Sequence, residues 1–107
     1  MNRLLAILLL FSATACSQKV KTGAEVLIGQ RLELLSGKRV GVICNHTSLL
    51  PDGTHLVDAL LRQGVNVTAL FGPEHGIRGT AAAGKKVSDF TDAATGLPVY
   101  SLYGKTT

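Results

Sequence analysis

Residues 38–71 read KRVGVICNHTSLLPDGTHLVDALLRQGVNVTALF, and the division of this stretch into elements decides the fold. Lys38 to Cys44 is basic at its start and then continuously apolar, the pattern of a strand buried on both faces. Asn45 to Gly53 holds Pro51 and the turn pair Asp52-Gly53 and reads as a loop. Thr54 suits an N-cap, and His55 to Gln63 follows as a helix with Leu56, Val57, Leu60 and Leu61 in one stripe. Gly64 stands where a left-handed C-terminal residue is expected, and Val65 to Phe71 is a second apolar strand. Strand, helix and strand in this span make a βαβ unit, a parallel pair joined by a right-handed crossover. The fold class is α/β, a doubly wound parallel sheet with flanking helices.

Toward the N-terminus, Ala24 to Leu35 is a helix candidate with Leu27, Ile28, Leu32, Leu34 and Leu35 on one side, stopped by Gly37. Before it, Arg3 supplies a positive start and Leu4 to Phe11 an apolar run, followed by the small residues Ser12 to Ala15 and then Cys16. Residues 1–15 read as a secretory signal peptide, too short for a stable bilayer span. A cysteine directly after Ala13-Thr14-Ala15 resembles a bacterial lipoprotein signal, in which Cys16 is acylated. Residues 16–23 are then a tether, and the expected location is the cell envelope, lipid-anchored on the extracytoplasmic side of a membrane. Cys44, ending an apolar run, is left as a small buried hydrophobe.

Toward the C-terminus, Gly72 to Gly96 shows no clear period and reads as a long loop, and Leu97 to Tyr103 as a further strand. Two or three strands and two helices make a thin core, so residues 24–107 read as the N-terminal part of a larger domain. The net charge of +4 is spread out, with no basic stripe or aromatic interleaving, which argues against nucleic acid. No GxGxxG follows the first strand, and GTAAAGKK (79–86) lacks the Ser/Thr of a phosphate loop. His46, His75 and a carboxylate match no standard ligand spacing, so neither metal nor cofactor is expected.

Ligands of open α/β sheets bind outside the carboxyl ends of the parallel strands. The first strand runs out into Asn45-His46-Thr47-Ser48, the second into GPEHGIRG at 72–79. Asn45, His46, Glu74, His75 and Arg78 are therefore expected around one crevice. Gly72 and Pro73 turn the chain off the strand, while Gly76 and Gly79 permit positive φ or close backbone approach. Asp52 is expected to serve its turn and Asp58 to be solvated or locally paired; Arg78 suits either a salt bridge or an anionic substrate group.

The stretches VICNHTS (42–48), LFGPEHGIRG (70–79) and TGLPVYSLYG (95–104) resemble a bacterial family long catalogued as a conserved domain of unknown function and associated with exo-acting peptidoglycan β-N-acetylmuramidases. The resemblance spans roughly residues 24–105 and only the N-terminal part of the family's length. It implies a partial Rossmann-like catalytic domain, truncated before a smaller C-terminal domain. It also implies a glycosidase that releases N-acetylmuramic acid from the non-reducing ends of peptidoglycan glycans, the substrate being a glycan or muropeptide. Glu74 would be the catalytic acid, Asn45 and His46 sugar contacts, and Arg78 a partner for the lactyl carboxylate. Asp52 is a candidate second carboxylate, since glycoside cleavage ordinarily uses two. The segment after the PEHG block is often acidic in the family, whereas 80–86 here carries no carboxylate. A non-catalytic cell-wall sugar-binding lipoprotein is the alternative.

Overall fold

The computed structural model of the chain describes residues 18–73, 75–80 and 88–102. Residues 1–17, with the expected signal segment and Cys16, and Glu74 lie outside the described residues. In chain order the elements are helix α1 (Gly23–Gln30), a 3₁₀ turn (Leu32–Leu35), strand β1 (Val40–Ile43), helix α2 (Leu56–Arg62), and strands β2 (Val67–Gly72), β3 (Phe90–Thr91) and β4 (Pro98–Ser101). Among the described residues no helix is long and apolar enough to cross a membrane.

The helix expected over 24–35 is two pieces. Thr22 caps α1 by a reciprocal capping box: its hydroxyl accepts from the Glu25 amide at 3.2 Å, and Glu25 accepts from the Thr22 amide at 2.7 Å. Arg31, at φ −135° and ψ 24°, interrupts the α geometry. The tighter turn after it brings Leu32 and Leu35 onto one face, because residues three apart eclipse in 3₁₀ geometry. Both then pack with Ile28 against the core.

The α2 cap also differs from the expected Thr54. Thr54 is spent in the preceding turn, where its amide donates to Asp52 Oδ1 at 2.9 Å. His55 takes the cap, its Nδ1 accepting from the Val57 amide at 3.3 Å. Since Nδ1 accepts, the ring proton sits on Nε2, which donates to the carbonyl of Asn45 at 2.9 Å. One buried imidazole thus starts the helix and holds the loop that leaves β1.

The sheet order is β1-β2-β4-β3, with β1, β2 and β4 parallel and β3 antiparallel to β4. Aligned across the three parallel strands, Val42, Leu70 and Val99 form one row and Ile43, Phe71 and Tyr100 the next, on the opposite face. The first row is buried beneath Val57 and Leu60 of α2, with Ile77 completing the cluster. Leu70, Val57 and Ile77 are fully enclosed, and each such side chain contributes about 1.5–3 kcal/mol by burial. The second row is open: Ile43 is 69% and Tyr100 45% exposed. The expectation of strands buried on both faces is therefore met on one face only. Phe71 stacks on Tyr100 at 5.6 Å, and its ring leans over Gly41, where a Cβ would come within 2.9 Å of it.

Candidate functional site

Strands β1 and β2 are adjacent and parallel, so both trailing loops leave the same edge of the sheet. The first loop is built on Asn45. Its Oδ1 accepts from the amide and the hydroxyl of Thr47, at 2.9 and 2.7 Å. Its backbone amide donates to Ser48 Oγ at 3.2 Å, and its carbonyl accepts from the Ser48 amide at 3.1 Å as well as from His55. These contacts fix the amide orientation: Oδ1 is used internally, and Nδ2 remains as a donor with no hydrogen bond among the described residues. A side chain held this way presents its amide NH₂ group at low entropic cost.

The second loop is built by glycines and two anchors. His75 has φ +73°, unusual for a residue with a Cβ, and Gly76 and Gly79 both have φ +71°. A left-handed histidine costs about 1–2 kcal/mol, a strain that clusters at binding sites. Ile77 anchors the loop in the core, fully buried. His46 and His75 meet edge to face, ring centroids 6.3 Å apart and planes at 84°. Gly79 passes so close to His46 that a Cβ there would lie 2.7 Å from Cγ. The NHTS and PEHG loops are therefore in contact, and Asn45, His46 and His75 share one rim.

Arg78 is the second anchor. Its Nη1 and Nη2 grip Asp58 Oδ2 and Oδ1, both at 3.1 Å. Its Nε and Nη2 reach Asp92 Oδ1 and Oδ2, at 3.3 and 3.0 Å. Four of the five guanidinium protons are thus taken by the chain's own carboxylates. The hydrogen bonds from Arg78 hold both carboxyls below the ordinary aspartate range, against the opposing effect of burial, and the two carboxylates push the guanidinium further up in turn. Of the two roles open to Arg78 in the sequence, the salt bridge is the one formed in this structure.

Sequence reading missed Asp92. It lies where no period was visible, at the mouth of a β3–β4 hairpin closed by Gly96 at φ +72°. The signal available was Asp92-Ala-Ala-Thr95-Gly96, in which Thr95 Oγ1 donates to Asp92 Oδ2 at 2.7 Å and the Gly96 amide to the Asp92 carbonyl at 2.7 Å. Asp52, the candidate second carboxylate, holds its turn through Thr54 and stands beside Lys21, Glu25 and Ile28 along a groove. Cys44 is buried, and burial pushes its thiol up, as a small hydrophobe requires.

The family model that describes the N-terminal region of the exo-β-N-acetylmuramidase NamZ matches residues 40–107, more than half of the chain. The chain belongs to this family. The peptidoglycan β-N-acetylmuramidase NamZ of Bacillus subtilis (strain 168) is 47% identical over 94 residues, covering 87% of this chain. Two crystal structures of DUF1343 family proteins from Bacteroides fragilis NCTC 9343 are similar in fold to this chain. One has a TM-score of 0.68 at 49% identity, covering 80% of this chain and 21% of that one. The other has a TM-score of 0.58 at 38% identity, with 75% and 20% covered. The chain spans 23% of the length of the Bacillus relative.

Proposed function

We propose that this chain forms the N-terminal wall of an exo-acting β-N-acetylmuramidase site, which releases N-acetylmuramic acid from the non-reducing ends of peptidoglycan glycans. The observation that carries this reading is the edge contact of His46 with His75, which joins the loops after β1 and β2 into a single rim. Glu74 immediately precedes His75 in the chain, and in this reading it protonates the leaving glycosidic oxygen. An oxocarbenium-like sugar develops as the bond breaks. Asn45 Nδ2 and the two imidazoles are then the polar groups that meet hydroxyls and the acetamido group of the sugar. Asp52, Asp58 and Asp92 each have local duties, so the second carboxylate is assigned to none of them.

Glu74→Gln, made in a protein that carries this wall and spans the length of the Bacillus relative, tests the reading. Release of N-acetylmuramic acid from a chromogenic muramide should fall by about 10²–10⁴, the usual worth of a general acid, while sugar binding persists. Unchanged release would sink the assignment. A sugar-binding module without turnover would show binding in both forms and release in neither.

Acylation of Cys16 would hold the chain on the extracytoplasmic face of a membrane, close to its substrate. The motif preceding Cys16 supports this, and Cys16→Ala is expected to move the protein from the membrane fraction to the soluble fraction. Retention of Cys16→Ala in the membrane fraction would contradict lipid anchoring.

A further inference from the structure

We propose that Asp58 and Asp92 are positioning residues that act through Arg78 to hold the His75–Gly79 segment of the rim, and that this guanidinium is scaffolding rather than a substrate anchor. The inference rests on the glycosidase reading above and assigns parts within that site. Three elements converge on one side chain: α2 supplies Asp58, the β3–β4 hairpin supplies Asp92, and the loop after β2 supplies Arg78.

The loop needs such a clamp. Between 75 and 79 three residues are left-handed; Gly76 and Gly79 adopt this freely, whereas His75 carries a Cβ that disfavours it and must be held there. Two consecutive residues fasten it to the body of the fold, Ile77 by burial and Arg78 by the paired bonds to Asp58 and Asp92, beside the ring contact of His75 with His46. Bidentate guanidinium–carboxylate pairs fix direction as well as distance.

Asp92 is itself rigid. Its amide donates to the Leu97 carbonyl at 2.9 Å, its carbonyl accepts from Gly96 at 2.7 Å, and Thr95 holds one carboxylate oxygen. The charge balance points the same way. Two carboxylates around one guanidinium leave the cluster with an excess negative charge, which disfavours a third carboxylate from a muramic acid. In this arrangement the lactyl group is recognised elsewhere.

The test follows amide exchange at His75, Gly76 and Gly79, together with binding of the methyl glycosides of N-acetylmuramic acid and N-acetylglucosamine. Asp58→Asn and Arg78→Met should each speed exchange at the three amides. Each should weaken both sugars by the same factor, about tenfold, and the double variant should be no worse than either single one, the mark of residues acting through each other. Losses that multiply in the double variant would overturn the proposal. So would Arg78→Met weakening the muramic sugar alone while the amides are undisturbed, because that assigns the guanidinium to the substrate.

If Arg78→Met does not fold, Arg78→Lys keeps the charge without the fork. Scaffolding predicts that it behaves like Asp58→Asn; a substrate anchor predicts that it preserves the preference for muramic acid. If a protein that carries this wall and spans the length of the Bacillus relative binds neither sugar, the glycosidase reading fails by itself. Amide exchange still decides the clamp, which is overturned if Asp58→Asn and Arg78→Lys leave it unchanged.

Discussion

At the scale of the residue, the rim is shaped by backbone conformations that only some side chains tolerate. Gly76 and Gly79 share φ +71°, yet a Cβ at Gly76 meets open space while one at Gly79 runs into His46. Gly76→Ala should therefore cost only left-handed strain, about 1 kcal/mol. Gly79→Ala should cost about 1–2 kcal/mol more and displace the His46 ring, as read by urea midpoints and the His46 ring resonances. His75 can be examined by the same logic. His75→Gly should be more stable than His75→Ala by about 1 kcal/mol, because alanine keeps the strained Cβ that glycine lacks. The Arg78 clamp sets the acid limb of stability. Asp58 and Asp92 both titrate below their unfolded values, chiefly through hydrogen bonds from Arg78. Their stabilisation is complete above roughly pH 4, near the ordinary aspartate pKa, and is lost as the pH falls through the lowered folded values. Thermal midpoints should drop as the pH falls below that point, and Asp92→Asn should show a shallower drop. Equal slopes in parent and variant would contradict the assignment. Glycines, prolines and ionisable groups at strand ends were visible in the sequence. The clamp was not, because neither Asp58 nor Asp92 is near Arg78 along the chain and nothing local marks a pair made by the tertiary fold.

At the scale of the element, local rules were a fair guide wherever one residue had one task and misled where two residues competed. The β1–α2–β2 unit follows from its apolar periods and its bounding glycines, and the structure reproduces it with ends shifted by one or two residues. Thr54 has the better capping propensity, but it belongs to the Asp52 turn, the helix starts one residue later than expected, and His55 stands at the cap. The α1 segment fails differently: its leucines do not keep a 3.6 period, so a 3₁₀ turn rephases Leu32 and Leu35 toward the core. Strand β3 is only two residues, Phe90–Thr91, with both side chains exposed, and leaves no periodic trace in the sequence. His55 joins the helix to the rim, which makes its replacement informative. His55→Ala removes the cap and the donor to the Asn45 carbonyl together, and is expected to cost about 2 kcal/mol. Asparagine restores a capping oxygen but not the reach to Asn45. His55→Asn should therefore recover part of the stability while leaving the Asn45–Ser48 amides perturbed in an HSQC spectrum. Full recovery at those amides would show that His55 serves the helix alone.

At the scale of the molecule, the sheet has one finished face and one open face, and the two should answer substitution differently. Val42, Leu70 and Val99 lie under α2, whereas Ile43, Phe71 and Tyr100, one residue on in each strand, form an apolar row with Ile43 69% exposed. Parallel sheets are ordinarily covered on both sides, and an alternation of this kind is easily taken from sequence for a strand buried throughout, since β1 is apolar on both faces. Leu70 and Ile43 are aliphatic side chains of neighbouring strands, so composition alone would rank their replacement alike. Leu70→Ala removes a fully enclosed side chain from the centre of the core, and it should cost about 2–5 kcal/mol. Ile43→Thr changes a surface position on the same sheet with a residue that keeps β-branching, and it should shift stability by no more than about 0.5 kcal/mol. Because the row it interrupts is apolar and wet, Ile43→Thr should also raise the concentration at which the chain stays monodisperse in light scattering. A large loss of stability from Ile43→Thr would show that the second face is covered in solution, by another copy of the chain or by its own residues. Equal and small effects at both positions would mean that the core does not form around Leu70 at all.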